Sequence, residues 1–119
     1  MTTKEIATRL RDLCAEGKFE MAQKELFSQD AVSIEPEASP GFDKLTKGLP
    51  AILEKGHTFE KMVEAVHGIK ISDPLVAGNS FALVMDMDTT MKGHGRSKMS
   101  EICVYVVKDG KIVKEEFFM

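Results

Sequence analysis

Residues 84–91 read VMDMDTTM, and the direction in which this stretch faces decides how the rest of the chain is understood. Side chains of a β-strand alternate between two faces, so Val84, Asp86, Asp88 and Thr90 share one and Met85, Met87, Thr89 and Met91 the other. With the methionines inward, the aspartates are solvated charges. With the aspartates inward, they line a cavity and carry its chemistry. The alternation by itself favours the methionine face as the core.

Strands of similar character surround it. They are expected at about 64–72, 80–91, 97–107 and 111–119, separated by SDPLVAGN, KGHGR and KDGK. The last two carry glycine and read as hairpin turns. The first half reads as helix. Thr2-Thr3-Lys4-Glu5 has the spacing of a capping box. Ile6, Leu10, Leu13 and Cys14 then fall on one helical face, and Gly17 can close the helix. A second helix carries Phe19, Ala22 and Leu26 up to a turn at Ser28. Val32 and Ile34 alternate as a short strand, and EPEASPG leaves it as a loop. Gly48-Leu49-Pro50 opens a third helix, with Ile52, Phe59 and Val63 inward. Three helices followed by long antiparallel strands make an α+β layout, in which a bent sheet wraps the helices on one face.

The composition fits one compact domain over residues 1–119, large enough to bury roughly 65 to 70% of its unfolded surface. Hydrophobic residues make up 43% and charged residues 29%, which is ordinary globular usage. The net charge of −3 is interspersed, and no basic stripe appears that could neutralise phosphates, so nucleic acid is not an expected partner. No run of about 18 apolar residues and no signal-peptide segment is present, so a cytoplasmic protein without a membrane partner is expected. Cys14 and Cys103 lack metal-ligand spacing and read as reduced thiols.

The order of elements resembles the SnoaL-like family of the nuclear transport factor 2-like superfamily, whose relatives include ketosteroid isomerase and limonene epoxide hydrolase. FSQDAVSIEP, the opening of the third helix at Gly48–Leu53 and the closing VYVVKDGKIVKEEFF carry the resemblance, which covers nearly the whole chain. It implies a cystatin-like cone, with three N-terminal helices packed in a strongly curved antiparallel sheet. It further implies that Val84, Asp86, Asp88 and Thr90 face the cavity. Met99, Glu101 and Cys103 would join them from the next strand, and Glu115, Phe117 and Met119 from the last. Phe81, Leu83, Met85 and Met87 would then pack the convex face, where a homodimer would cover them.

The closing hairpin bears on the same question. A two-residue turn at Asp109-Gly110 pairs Lys108 with Lys111 and sets Glu115 on the face of Ile102 and Val104. A three-residue loop at Lys108-Asp109-Gly110 sets it with Glu101 and Cys103. A one-residue slip moves every side chain to the other face. The resemblance favours the second pairing.

Ketosteroid isomerase uses an aspartate base with a tyrosine and a protonated aspartic acid as oxyanion donors. The matching positions here hold Glu35, Leu10 and Cys103. Of the Asp-Arg-Asp arrangement of limonene epoxide hydrolase, only Asp86 is kept, with Val84 and Phe117 at the other two positions. Neither reaction is expected by its known route. The candidate catalytic residues are Asp86, Glu101, Glu115 and Glu35; the candidate ligand-binding residues are Asp88, Thr90, Met99, Cys103, Phe117 and Met119. Crowded carboxyls in an apolar pocket cannot all ionise, so a protonated one can donate while its neighbour accepts. Methionines in the wall suit an apolar ligand of irregular shape. His57, His67 and His94 read as surface or satisfied histidines. Neither a metal nor a cofactor is expected, since no histidine partners the aspartates at ligand spacing. Cys103 is a poor nucleophile in acidic surroundings. The expectation is a binder of a small apolar molecule with isomerase, cyclase or hydrolase-type acid/base chemistry. The alternative is a non-catalytic dimeric module that binds a ligand or a protein.

Overall fold

A computed structural model describes residues 1–119. The chain forms α1 (Thr3–Ala15), α2 (Phe19–Leu26), β1 (Phe27–Ile34), β2 (Leu45–Lys47), α3 (Leu49–Met62), β3 (Val63–Ile71), β4 (Leu75–Ala77), β5 (Ser80–Met91), β6 (Gly95–Lys108) and β7 (Lys111–Phe118). The strands make one sheet in the order β2-β1-β7-β6-β5-β3, with β4 paired to β5. All neighbours are antiparallel except β1 and β7, which run parallel. This is the expected α+β cone, a curved open sheet with the helices on its concave side.

Local chemistry accounts for most of these elements. Thr2 caps α1 through the amide of Glu5, and the Glu5 carboxylate accepts from the Thr2 amide in return, completing the capping box. Ile6, Leu10, Leu13 and Cys14 are all buried, as their helical spacing predicts. Pro50 sits in the first turn of α3, where it costs no hydrogen bond. Other boundaries shift. β1 begins at Phe27 directly after α2, with no turn at Ser28, and Val63 opens β3 instead of closing α3. SDPLVAGN contains the short strand β4.

The faces of the sheet follow from two hairpins. Between β5 and β6 the loop is Lys92-Gly93-His94, which pairs Met91 with Gly95 and carries an unbroken register from there to Ser80. Met85 therefore lies opposite Glu101, and Met87 opposite Met99. The face of Glu101 is the face of the methionines. Phe81 and Leu83 are buried in the core with the helices, half-buried Met85 packs on it, and buried Met87 lies on the same inward face. The expectation that these residues lie on the convex face is overturned.

Between β6 and β7, Asp109 (φ 52) and Gly110 (φ 76) form a two-residue turn with both residues left-handed, and Lys108 pairs with Lys111. The register then shifts: Val107 pairs with Ile112, but Val106 pairs with Lys114, leaving Val113 as an extra residue in β7. Glu115 consequently lies opposite Tyr105, on the face of Glu101 and Cys103. The turn is the two-residue one, and the face is the one the other pairing required.

The inward face is apolar at one end. Phe81 stacks on Tyr105 with ring centroids 4.8 Å apart, and α1 seals this end with Ile6, Leu10 and Leu13. Towards the other end of the same strands the sheet opens beneath α2 and α3. No helix is long and apolar enough to cross a membrane.

Candidate functional site

A cavity of about 280 Å³ occupies the open end, between the inward face of β5–β7 and the helices α2 and α3. Met85, Met87, Met99, Phe117 and Met119 line it from the sheet side, Ile52, Leu53, Phe59 and Phe19 from the helices, and Glu35, Glu101 and Glu115 bring carboxyls to it.

Position in the fold explains each polar group. Parallel pairing of β1 with β7 sets Ser33 beside Glu115. Both are buried, and Ser33 Oγ donates a 2.7 Å hydrogen bond to Glu115 Oε2. On α3, Lys55 lies one turn beyond buried Ile52 and one turn before Phe59, so its stem runs inward. Its Nζ stands 5.6 Å from the centre of the Phe117 ring. The same ammonium donates to Ser33 Oγ at 2.6 Å and to Glu35 Oε1 at 2.9 Å. The result is a continuous chain, Glu35–Lys55–Ser33–Glu115, along one wall.

Glu101 stands apart from that chain. Its carboxyl accepts only the thiol of Cys103, at 3.8 Å, although the residue is 93% buried with a relative exposure of 7%. Burial first, then the negative charges of Glu35 and Glu115, push Glu101 up to about 7. Burial also pushes Glu115 up to about 7, against the opposing effects of the Ser33 hydrogen bond and the Lys55 charge. Near neutral pH the cavity therefore holds two carboxyls that can each exist with or without a proton. Burial raises the thiol of Cys14 to about 12 and that of Cys103 further still, so neither supplies a thiolate.

Among the residues singled out from the sequence, Glu35, Glu101, Glu115, Met99, Phe117 and Met119 come together around the cavity. Asp86, Asp88 and Thr90 do not. The three-residue loop at Lys92–His94 places them on the opposite, outer face, with Asp86 opposite Ser100 and Lys70. Asp88 is clamped there by the Arg96 guanidinium through two bonds of 2.8 and 3.0 Å, which hold its carboxyl below the usual range. Thr90 is bonded to His67 Nε2 at 2.7 Å. Cys103 is fully buried in the core beneath the cavity wall and does not line it. His94 is an exposed turn residue. His57 lines the cavity mouth, paired with Glu20 at 2.6 Å, which raises it above the usual histidine value. No group of three or more His, Cys, Asp or Glu side chains is arranged to hold a metal ion.

The sequence reading passed over Lys55 and Ser33. The spacing of Ile52, Lys55 and Phe59 could have shown a lysine on the inward face of α3. Ser33 carried no such signal, because the apolar alternation of β1 pointed to Val32 and Ile34.

This combination of a helix-lined cone and an acidic cavity is accompanied by a match of a SnoaL-like domain model to residues 1–119. The chain belongs to the SnoaL-like domain family. A Mesorhizobium loti protein of known structure, named for SnoaL-like polyketide cyclases, is 33% identical over the full length of both chains, with a TM-score of 0.93. A Xanthomonas campestris protein with a cystatin-like fold shares 18% identity over 99% of this chain and 90% of its own, with a TM-score of 0.83. TerC, co-crystallised with polyporic acid, shares the fold at 13% identity, covering 98% of this chain and 90% of its own with a TM-score of 0.79. No curated protein matches the sequence. Leu10 and Cys103, which the resemblance matched to the oxyanion donors of ketosteroid isomerase, are both buried in the apolar cluster.

Proposed function

We propose that this SnoaL-like protein binds a small apolar molecule in the cavity and carries out cofactor-independent acid/base chemistry of the cyclase or isomerase type on it. One observation carries the reading: Glu101 and Glu115 face a single methionine- and phenylalanine-walled cavity, and both titrate near neutrality. Glu101, the more accessible to a ligand, gives or takes the proton. Glu115 is the second acid, oriented by Ser33 and balanced by Lys55. Glu35 holds Lys55 in place. The polyketide-cyclase name of the Mesorhizobium loti relative supports a compact organic ligand for a cavity of this kind.

A homodimer belongs to the same proposal, through the convex face as expected but over other residues than Phe81, Leu83, Met85 and Met87. Val84, Ile102 and Phe118 lie opposite one another across β5, β6 and β7 on the outer face, and all three are exposed. A second copy packed on this row would remove them from water.

Binding of naphthol, a neutral apolar probe, tests the cavity. Saturable binding of one naphthol per chain is expected. Met99→Trp fills the cavity and should weaken it about tenfold or more. Non-saturable binding, or binding indifferent to that substitution, would remove the proposed site.

A further inference from the structure

The hydrogen-bonding groups around the cavity are unequally committed. Both basic side chains that reach it are engaged: Lys55 donates to Glu35 and Ser33, and His57 pairs with Glu20 at 2.6 Å and Glu54 at 3.5 Å. Each already has a carboxylate partner. Glu101 has the opposite character. It is buried, lines the cavity, and receives nothing except a long contact from the Cys103 thiol. The Glu101 carboxyl therefore faces the cavity with accepting capacity left over, which a donor on a ligand can use.

The surrounding walls narrow the kind of donor. Phe117, Phe59, Phe42 and Phe19 present rings to the cavity, and the Lys55 ammonium already sits over one of them. Aromatic faces and thioethers beside an unpaired carboxyl accommodate a cation on an apolar body. A carboxylate or phenolate in the same place would meet Glu101, Glu115 and Glu35 with no spare positive charge to offset them.

We propose that the ligand of this cavity is an apolar molecule carrying a protonated amine, whose N–H is donated to Glu101. The assignment rests on the reading that the cavity binds a small apolar molecule. Proton exchange then takes place between Glu101 and the ligand nitrogen. Glu101 must be ionised to receive the ammonium, so binding is linked to its titration. The charged and titratable groups facing it are Glu35 just after β1, Lys55 from α3, Glu115 from β7 and the Cys103 thiol on its own strand.

Three probes of one shape distinguish the possibilities: phenylbutylamine, phenylbutanol and phenylbutyrate, titrated calorimetrically into the full chain with naphthol as the control for the cavity. At about pH 8.5, where the amine is protonated and Glu101 is ionised, the amine is expected to bind about tenfold or more tighter than the alcohol, with the carboxylate weakest. Lowering the pH to about 5.5 should erase the advantage of amine over alcohol, with a midpoint near 7. The advantage should also collapse in Glu101→Gln. An alcohol or carboxylate that binds as well as the amine, an amine preference that survives Glu101→Gln, or one that does not fall with pH overturns the amine assignment. If naphthol and phenylbutanol bind without an amine preference, the cavity reading stands and only the assignment falls. If none of the four binds, both fall together.

Discussion

Ser33 and Glu115, 82 residues apart in the chain, are joined by a buried 2.7 Å hydrogen bond that exists because β1 runs parallel to β7. The serine hydroxyl donates a hydrogen bond to the carboxylate and accepts one from the Lys55 ammonium, so it links the lysine to a group the lysine does not itself touch. Ser33→Ala removes the hydrogen bond to the Glu115 side chain. The variant should lose about 1–3 kcal/mol of stability at about pH 8, measured by urea unfolding, because a buried ionised group loses its donor. Titration of Glu115 should also move upward from about 7. An unchanged urea midpoint at that pH would show that the hydroxyl does not support the charge.

Glu101 makes the clearest prediction about pH. Its folded-state value is raised from 4.5 to about 7, so the stability it contributes is fully present below its unfolded value and is lost as pH rises through about 7. Glu101→Gln replaces the carboxyl with a group that never ionises. At about pH 8 the variant should be more stable than the parent by about 2 kcal/mol, and near pH 4 the difference should vanish. Urea midpoints of the two proteins across this range decide it, and a difference that does not change with pH would refute the burial of a titrating carboxyl.

Lys55→Met retains the stem over Phe117 and removes the positive charge. The Glu35, Glu101 and Glu115 carboxyls then face one another without compensation, and the titrations of Glu101 and Glu115 should both move above about 7. Carbon-detected titration of the glutamate side chains measures this. Unmoved values would mean that the ammonium is too well screened to act on them.

Asp86 is the control on the geometry. It lies on the outer face, opposite Ser100 and Lys70, and does not line the cavity. Asp86→Asn should change stability by no more than about 0.5 kcal/mol and leave naphthol binding as it is. A large loss of naphthol affinity would place Asp86 inside after all.

The exposed row of Val84, Ile102 and Phe118 predicts an assembly. Sedimentation at micromolar concentration should show a dimer, and Ile102→Glu, which puts a charge at the centre of the row, should give a folded monomer. A dimer indifferent to Ile102→Glu would move the interface elsewhere.

The parts of this protein legible in its sequence are those governed by interactions within a few residues. The capping box at Thr2 and Glu5, the buried stripe of Ile6, Leu10, Leu13 and Cys14 and the proline opening of α3 all depend on backbone conformation and spacing along one element. With the alternation of the long strands they gave the three helices and the main strands in order, while the short strands β2 and β4 were not foreseen. The methionine face of VMDMDTTM was the inward face that alternation alone suggested. The resemblance pointed the other way and fails here, since Asp86 and Glu101 could share a face only with a loop one residue different from Lys92-Gly93-His94. The site itself belongs to the tertiary structure. A single extra residue, Val113, turns Glu115 inward after a two-residue turn that would otherwise have faced it out. Parallel strand pairing and the approach of α3 then bring Ser33 and Lys55 to it. No local preference encodes these contacts, since strand parity changes with every inserted residue and the energy of a buried charge depends on partners that only folding brings within reach.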